Sequence, residues 1–451
     1  MPAPPPFRDA PPGDARDAAY RVLSRHAEDF PDLLPLDIDE GALSGRDCAL
    51  ARTILGEGVG RWRTLATVIE QISGRPIEAL EPRMRAVLIG GAAQLILMDR
   101  VPAHGVIDRS VGWAKSSIRA KAGGMVNAIL RKIARATDGP SAVGEPVSGD
   151  AIPLSDGRSR VVRGVSWPTD HAERLGALYS LPTDTIRRWE EEHPDAFADL
   201  AAHSIVRAPA IIHGIDPDAA ARIDALAPHD ESGFFVFEGS RAELARLLGT
   251  HDGARVQDPS SAGVVDQIPG HEPGVIVDLC AGQGTKTRQL LERFPDARVL
   301  ACEVDDDRLA TLRRVFGGEP RVRVLHADET ERELSGGADL VLTDVPCSNS
   351  GVLARRREAR YRARDHHLDR LVELQRAILR RATGLLSARG VLAYSTCSIE
   401  SRENGEQVRW ASDALGLTIA HEHSRLPRGL PGEPSNGYRD GAYCGVCVPG
   451  A

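Results

Sequence analysis

The hydrophobic pattern of the chain changes character along its length. From Asp14 to Arg135, apolar residues recur three and four positions apart in "DARDAAYRVLSRHA", "DCALARTILGEGVGRWRTLATVIEQI", "MRAVLIGGAAQLILM", "GVIDRSVGWAKSSI" and "GGMVNAILRKIARA". That spacing gathers apolar side chains on one helix face, so residues 14–137 are expected to form an all-α domain. Thr137 to Arg160 is rich in Gly, Pro, Ser and Asp, which predicts a linker over 138–166. Residues 167–255 mix helices such as "DAFADLAAHSIV" with short strands such as "APAIIHGI" and "GFFVFEG", as in a small α/β domain. Over 256–451 the apolar runs "GVIVDLC", "ARVLACEVD", "RVRVLHAD", "ADLVLTDVP" and "GVLAYSTCS" alternate with the amphipathic helices "TKTRQLLERF", "DDRLATLRRVF" and "HHLDRLVELQRAILRRATGLLSA". Continuous apolar strands separated by helices predict a parallel sheet covered on both faces, with ligands beyond the carboxyl ends of the strands.

Composition narrows this picture only slightly. The 451 residues are 42% hydrophobic and include no apolar run of membrane-spanning length, so a soluble protein without a membrane partner is expected. The start, "MPAPPPFRDAPPGDARD", carries no signal-peptide core; residues 1–13 are expected to be a disordered tail. Seven cysteines without an export signal point to reduced thiols in a cytoplasm. A net charge of −8 argues mildly against nonspecific polyanion binding, but the distribution is uneven. Lys115, Arg119, Lys121, Arg131, Lys132 and Arg135 follow one another with no acidic residue between them, and "RRREARYRAR", from Arg355, holds six arginines against one glutamate. Two such runs point to an RNA or DNA surface.

Candidate chemistry clusters at the strand exits. "VIVDLCAGQGTKT" reads as strand, glycine turn and helix start, where backbone N–H groups are presented to a ligand. It is not a Walker loop and lacks the third glycine of the dinucleotide fingerprint. Glu303, 19 residues after Gly284, ends the second strand and suits the hydroxyls of a ribose; Asp328 ends the third and suits an adenine amino group. Such a set fits a nucleoside with no phosphate to neutralise, as in S-adenosylmethionine. Two further strands end in a Cys-Ser pair, at Cys347 and Cys397. Cys444 and Cys447 have zinc-like spacing without a second pair, so a final hairpin and no metal are expected.

"DVPCSNSG" and "YSTCSIESREN" resemble the motifs of the Sun-type RNA (cytosine-5)-methyltransferases. "RVPAHGVIDRSVGWAKSSIRAKAGGMVNAILRKI" resembles the NusB-like domain of the bacterial small-subunit (16S) rRNA members, and "VQDPSSAGVVDQI" the entry to their catalytic domain. The resemblance implies a multidomain chain: a NusB-like RNA-binding domain, a small α/β middle domain and a Rossmann-like methyltransferase domain using S-adenosylmethionine. It further implies that the cofactor lies against Cys280, Ala281, Gly282, Gln283, Gly284, Thr285, Lys286, Glu303, Asp328 and Asp344.

Carbon 5 of cytosine attacks a methyl sulfonium only after a thiolate has added to carbon 6, which is covalent catalysis. By resemblance, Cys397 is that nucleophile, Cys347 assists release of the methylated base, and Asp344 supports ring nitrogen N3. Arg355 matches an arginine in an RNA-facing loop. Tyr361 is either a stacking surface for a base or a half-buried loop aromatic. The expected partner is RNA, above all small-subunit rRNA, bound by a monomer. The chain departs from the family at "GQGTKT", where Pro-Gly-Gly usually precedes Lys-Thr. That departure keeps open a catalytically silent RNA-binding assembly factor; the same chemistry on tRNA is also open.

Overall fold

The computed structural model describes residues 13–31, 33, 38–39, 41, 43–143, 150–269, 272–334 and 337–450. The expected tail up to residue 12, and residues 144–149 of the expected linker, lie outside the described residues. The chain divides into two compact units. The first runs to Arg207 and takes in Leu353–Arg364 and Leu430–Glu433; the second holds Ala208–Val352, Asp365–Gly429 and Pro434–Ala451.

In the first unit the helices are Ala15–Asp29, Gly45–Gly60, Trp62–Ser73, Pro82–Leu97, Ala103–Ser117 and Ala122–Ala136. Asp14 caps the first of them, its carboxylate accepting from the N–H groups of Arg16 and Asp17. The helix Pro82–Leu97 is buried almost all round, and a Cβ on Gly90 would come within 2.5 Å of the Tyr20 ring. The long apolar stretch from Asp47 to Ile72 reads as one helix but breaks at Arg61, whose buried guanidinium bonds the carbonyl oxygens of Pro153 and Leu178 at 2.8 Å. The expected linker is partly structured: β1 (Ala151–Pro153) and β2 (Ser159–Val161) form an antiparallel hairpin. Its apolar neighbours Ile152, Leu154, Val162 and Trp167 join the core of the helices, which their spacing among glycines and serines does not reveal. Helices His171–Tyr179, Thr183–Glu192 and Phe197–His203 complete the unit, so the segment expected as a middle domain is divided after Arg207.

In the second unit, β3 (Ala210–His213), β4 (Leu226–Pro228), β5 (Phe234–Phe237) and β6 (Arg255–Val256) form a small antiparallel sheet in the order β4-β5-β3-β6. The main sheet comprises β7 (Val275–Asp278), β8 (Arg298–Glu303), β9 (Val322–His326), β10 (Ala338–Asp344), β11 (Leu386–Thr396), β12 (Leu417–Arg425) and β13 (Ala442–Pro449). Its order is β12-β13-β11-β10-β7-β8-β9, parallel from β11 to β9, with β13 antiparallel to β11 and to β12. Alternate residues serve opposite faces. Ile276, Leu340, Leu342 and Ala393 pack with the helices Thr285–Arg293 and Asp306–Phe316, whereas Val277, Val341, Leu392 and Tyr394 pack with the helices Asp365–Leu385 and Gly405–Leu415. Strand order reverses between β7 and β10. The crevice at their carboxyl ends is the place where such sheets take a ligand.

Cys444 and Cys447 both lie in β13, but their side chains belong to the cores on opposite faces of the sheet. Among the described residues, no helix is long and apolar enough to cross a membrane.

Candidate active site

At the exit of β7 the chain turns through Gly282 and Gly284 at φ +58° and +88°, then enters the helix Thr285–Arg293. Only glycine adopts such angles without strain. A Cβ on Gly284 would also lie 2.4 Å from the Phe316 ring. The Glu303 carboxylate, at the end of β8, accepts from the N–H of Gly282 at 3.0 Å and from those of Val304 and Asp305. It therefore shapes the glycine turn from the neighbouring strand.

Asp278, unremarked in the sequence, is fully buried beneath the turn and accepts from Thr287 Oγ1 at 2.6 Å. Burial pushes its carboxyl up to about 7, and its Oδ1 has no hydrogen-bond partner among the described residues. Cys280 is half-buried and its thiol pushed up by burial; Gln283 and Thr285 are exposed beside it. Asp328 follows β9, with its carboxylate exposed 3.5 Å from His326. An open turn with positive φ, an orphaned buried carboxylate oxygen and acids at adjacent strand ends fit a polar nucleoside cofactor.

The other half of the crevice is built by β10 and β11. Asp344 pairs in register with Ser395, and Val345 N–H bonds Ser395 O, so the two strands leave the sheet side by side. That brings Cys347 and Cys397 together, Sγ to Sγ at 3.3 Å. Cys347 is buried, whereas Cys397 is partly exposed. The hydrogen bond with Cys397, and then burial, hold the Cys347 thiol well above its ordinary range. Asn349, at φ +63°, donates to Cys347 O and places its carbonyl oxygen 3.6 Å from Cys397 Sγ.

The Lys286 Nζ lies 2.7 Å from Asp344 Oδ2, and the lysine side chain is only 12% exposed. Burial opposes its charge, but pairing with Asp344, reinforced by Cys397 and Asp278, outweighs this and holds the ammonium above its usual range. Ser395 Oγ donates to Asp344 Oδ1 at 2.9 Å, which fixes the carboxylate at both ends. Beneath the cysteines lie groups the sequence reading passed over. Glu403 is completely buried and accepts from Ser348, Ser398 and Gln375. A glutamate six residues past Cys397 gives no such signal in sequence: the motif "YSTCSIESREN" carries the family resemblance but does not name the partners of its side chain.

The basic runs separate. In the first unit Lys115, Arg119, Lys121, Arg131 and Lys132 are all exposed on or between the helices Ala103–Ser117 and Ala122–Ala136; Arg119 pairs with Glu81. The arginine run corrects its expected role as an open nucleic-acid surface. Arg357 pairs with Glu57, Arg362 bonds Leu33 O, and Arg360 is buried on the carbonyls of Tyr179 and Ser204. Arg355 is half-buried. Tyr361 is buried in the helical core with its hydroxyl on Ser180, so it offers no face to a base. Arginine placed inside can satisfy backbone carbonyls through its several donors, which a count of charges cannot anticipate.

Residues 268–419 match the family described as 16S rRNA methyltransferase RsmB/F, and residues 14–135 match the NusB family. The chain is 28% identical over 376 residues to a protein named ribosomal RNA small subunit methyltransferase B from Yersinia enterocolitica, covering 81% of this chain and 82% of that one. A protein of the same name from Sodalis glossinidius is 28% identical over 377 residues, covering 82% of each. Among solved structures, PH0851 aligns with a TM-score of 0.71 at 19% identity, over 96% of this chain and 98% of that one, a likeness of fold.

Proposed function

Since the chain belongs to the RsmB/F family of 16S rRNA methyltransferases, with a NusB-family domain ahead of the catalytic one, we propose that it methylates carbon 5 of a cytosine in small-subunit rRNA through a covalent cysteine adduct. It is an RNA methyltransferase by membership. The atom methylated and the mechanism are the proposal, and the observation that carries it is the unlike pair of thiols at 3.3 Å in the crevice.

Cys397 is the partly exposed member, 3.3 Å from a buried thiol held in its protonated form. Its partly exposed position, open to an incoming base while Cys347 is buried, favours Cys397 as the nucleophile. The nearby Lys286 ammonium adds favourable charge. The thiolate adds to carbon 6 of the flipped-out base, and the displaced electron pair makes carbon 5 nucleophilic. Asp344, fixed by Lys286 and Ser395, supports the N3 edge of the ring. S-adenosylmethionine, when bound, supplies the activated methyl group. Gly282, Gly284, Glu303 and Asp278 form the wall that would hold it, with Asp328 beyond. Once carbon 5 is methylated, a base removes its proton, that electron pair re-forms the double bond to carbon 6 and expels the Cys397 thiolate, and Cys347 assists that release. The exposed bases on the helices Ala103–Ser117 and Ala122–Ala136 supply phosphate contacts.

The test is nucleoside mass spectrometry of unmodified small-subunit rRNA incubated with protein and isotopically labelled S-adenosylmethionine. Label in 5-methylcytidine is expected; label in another nucleoside, or none, refutes the reading.

A further inference from the structure

The twin Cys-Ser pairs share a single buried anchor. Ser348 and Ser398 are the residues that directly follow the two cysteines. Their hydroxyls both donate to Glu403 Oε2, at 2.5 and 2.6 Å, and lie 3.2 Å from one another. Glu403 Oε1 accepts from the Ser348 N–H at 2.9 Å and from Gln375 Nε2 at 3.0 Å. The same Gln375 amide donates to Pro346 O, just ahead of Cys347. Ser350 Oγ lies 3.0 Å from Ser398 Oγ and accepts from the Ile399 N–H, and Gly351 N–H bonds Cys397 O. Ser348, Ser398, Ser350, Glu403 and Gln375 are each no more than 3% exposed.

A buried carboxylate is expensive unless hydrogen-bonded, and here three of the four donors come from the serines that follow the two cysteines and the fourth, Gln375, from the helix Asp365–Leu385. Among the described residues, the hydrogen bonds of this network run to one another and to the segments beside the two cysteines. We infer that Glu403, with Ser348 and Ser398, is a clamp that sets the separation of Cys347 and Cys397: Glu403 is a positioning residue acting through the two serines. Each serine, drawn inward onto one shared oxygen, fixes the backbone from which its preceding cysteine projects. The repeated dipeptide follows from this: two cysteines need the same neighbour because one carboxylate holds both. Glutamine preserves the arrangement, since its carbonyl accepts on the Ser348 N–H and Gln375 side, while its amide faces hydroxyls free to rotate into acceptors.

The inference rests on the assignment of the two thiols to methyl transfer, so its test reads geometry and turnover separately. Geometry is read with dibromobimane, which fluoresces fully only after both arms have alkylated neighbouring thiols; Cys347→Ala gives the background. Turnover is read as kcat and KM for S-adenosylmethionine. Ser348→Ala, Ser398→Ala and Glu403→Ala are expected to lower both the cross-linking rate and kcat by about tenfold or more with KM unchanged, and Glu403→Gln to stay within about threefold of wild type. Should Glu403→Ala fail to fold, the serine variants decide alone. Wild-type cross-linking and kcat in both serine variants would overturn the clamp, as would a loss in Glu403→Gln equal to that in Glu403→Ala. Cross-linking that falls in the serine variants of a protein that never methylates cytosine would leave the clamp standing and refute the catalytic reading instead.

Discussion

Asp278→Asn should change how the second unit responds to pH. The wild-type carboxyl has no exposed surface, one donor in Thr287 Oγ1 and one oxygen with no hydrogen-bond partner among the described residues. Burial therefore raises its pKa from 3.8 to about 7. In the unfolded chain the proton leaves near the lower value; in the folded chain it is kept to the higher one. Stability is thus full below the lower value and is lost as pH rises through the folded pKa. At about 1.4 kcal/mol per unit the whole loss is about 4 kcal/mol, nearly complete by pH 8, with about 1 kcal/mol of it already incurred at pH 4.5. Asparagine has no proton to lose and still offers an oxygen to Thr287. Urea denaturation of both proteins at the two pH values gives the comparison. The stability of the variant relative to wild type should rise by about 3 kcal/mol from pH 4.5 to pH 8, whatever constant offset the substitution brings. A difference between the two proteins that does not vary with pH would refute the reasoning.

Three further outcomes follow from the geometry. Gly284→Ala places a side chain at φ +88° and 2.4 Å from the Phe316 ring, and should destabilise by about 2–4 kcal/mol in thermal unfolding. Lys286→Met leaves Asp344 without its cation and should cut methyl transfer by about 100-fold in a steady-state assay, with a smaller loss for Lys286→Arg. Reversing Arg131 and Lys132 together to Glu should reduce the slope of log affinity for RNA against log salt by roughly two; an unchanged slope contradicts their role in phosphate contact.

Much of the framework was legible because burial leaves a periodic trace. Strands β7 to β10 fall within their apolar runs, and the fifth run marks the carboxyl part of β11, which starts four residues earlier at Leu386, in the stretch expected as helix. The runs are continuous where the strand is mostly buried, as in β7, β8 and β10, whereas the edge strand β9 keeps Arg323 exposed. The glycine turn and Glu303 were legible for a related reason: positive φ and an acid at the next strand end are local requirements. What escaped the sequence depends on partners far along the chain. Arg360 looks like surface charge until the carbonyls of Tyr179 and Ser204 close on it. Tyr361 is buried for the same reason, by helices more than a hundred residues earlier. The hairpin Ala151–Val161 hides among turn-forming residues because only a few of its side chains reach the core. Glu403 and Gln375 meet Ser348 only after β10 and β11 have paired, so no spacing rule could join them.

The central claim is that Cys397 forms a covalent bond to the base. The most direct measurement incubates wild type, Cys347→Ala, Cys397→Ala and the double variant with small-subunit rRNA and S-adenosylmethionine, then looks for RNA-shifted protein on denaturing gels. An adduct that accumulates in Cys347→Ala and disappears in the double variant is the predicted result. An adduct that accumulates only in Cys397→Ala would contradict the account by reversing the two thiols.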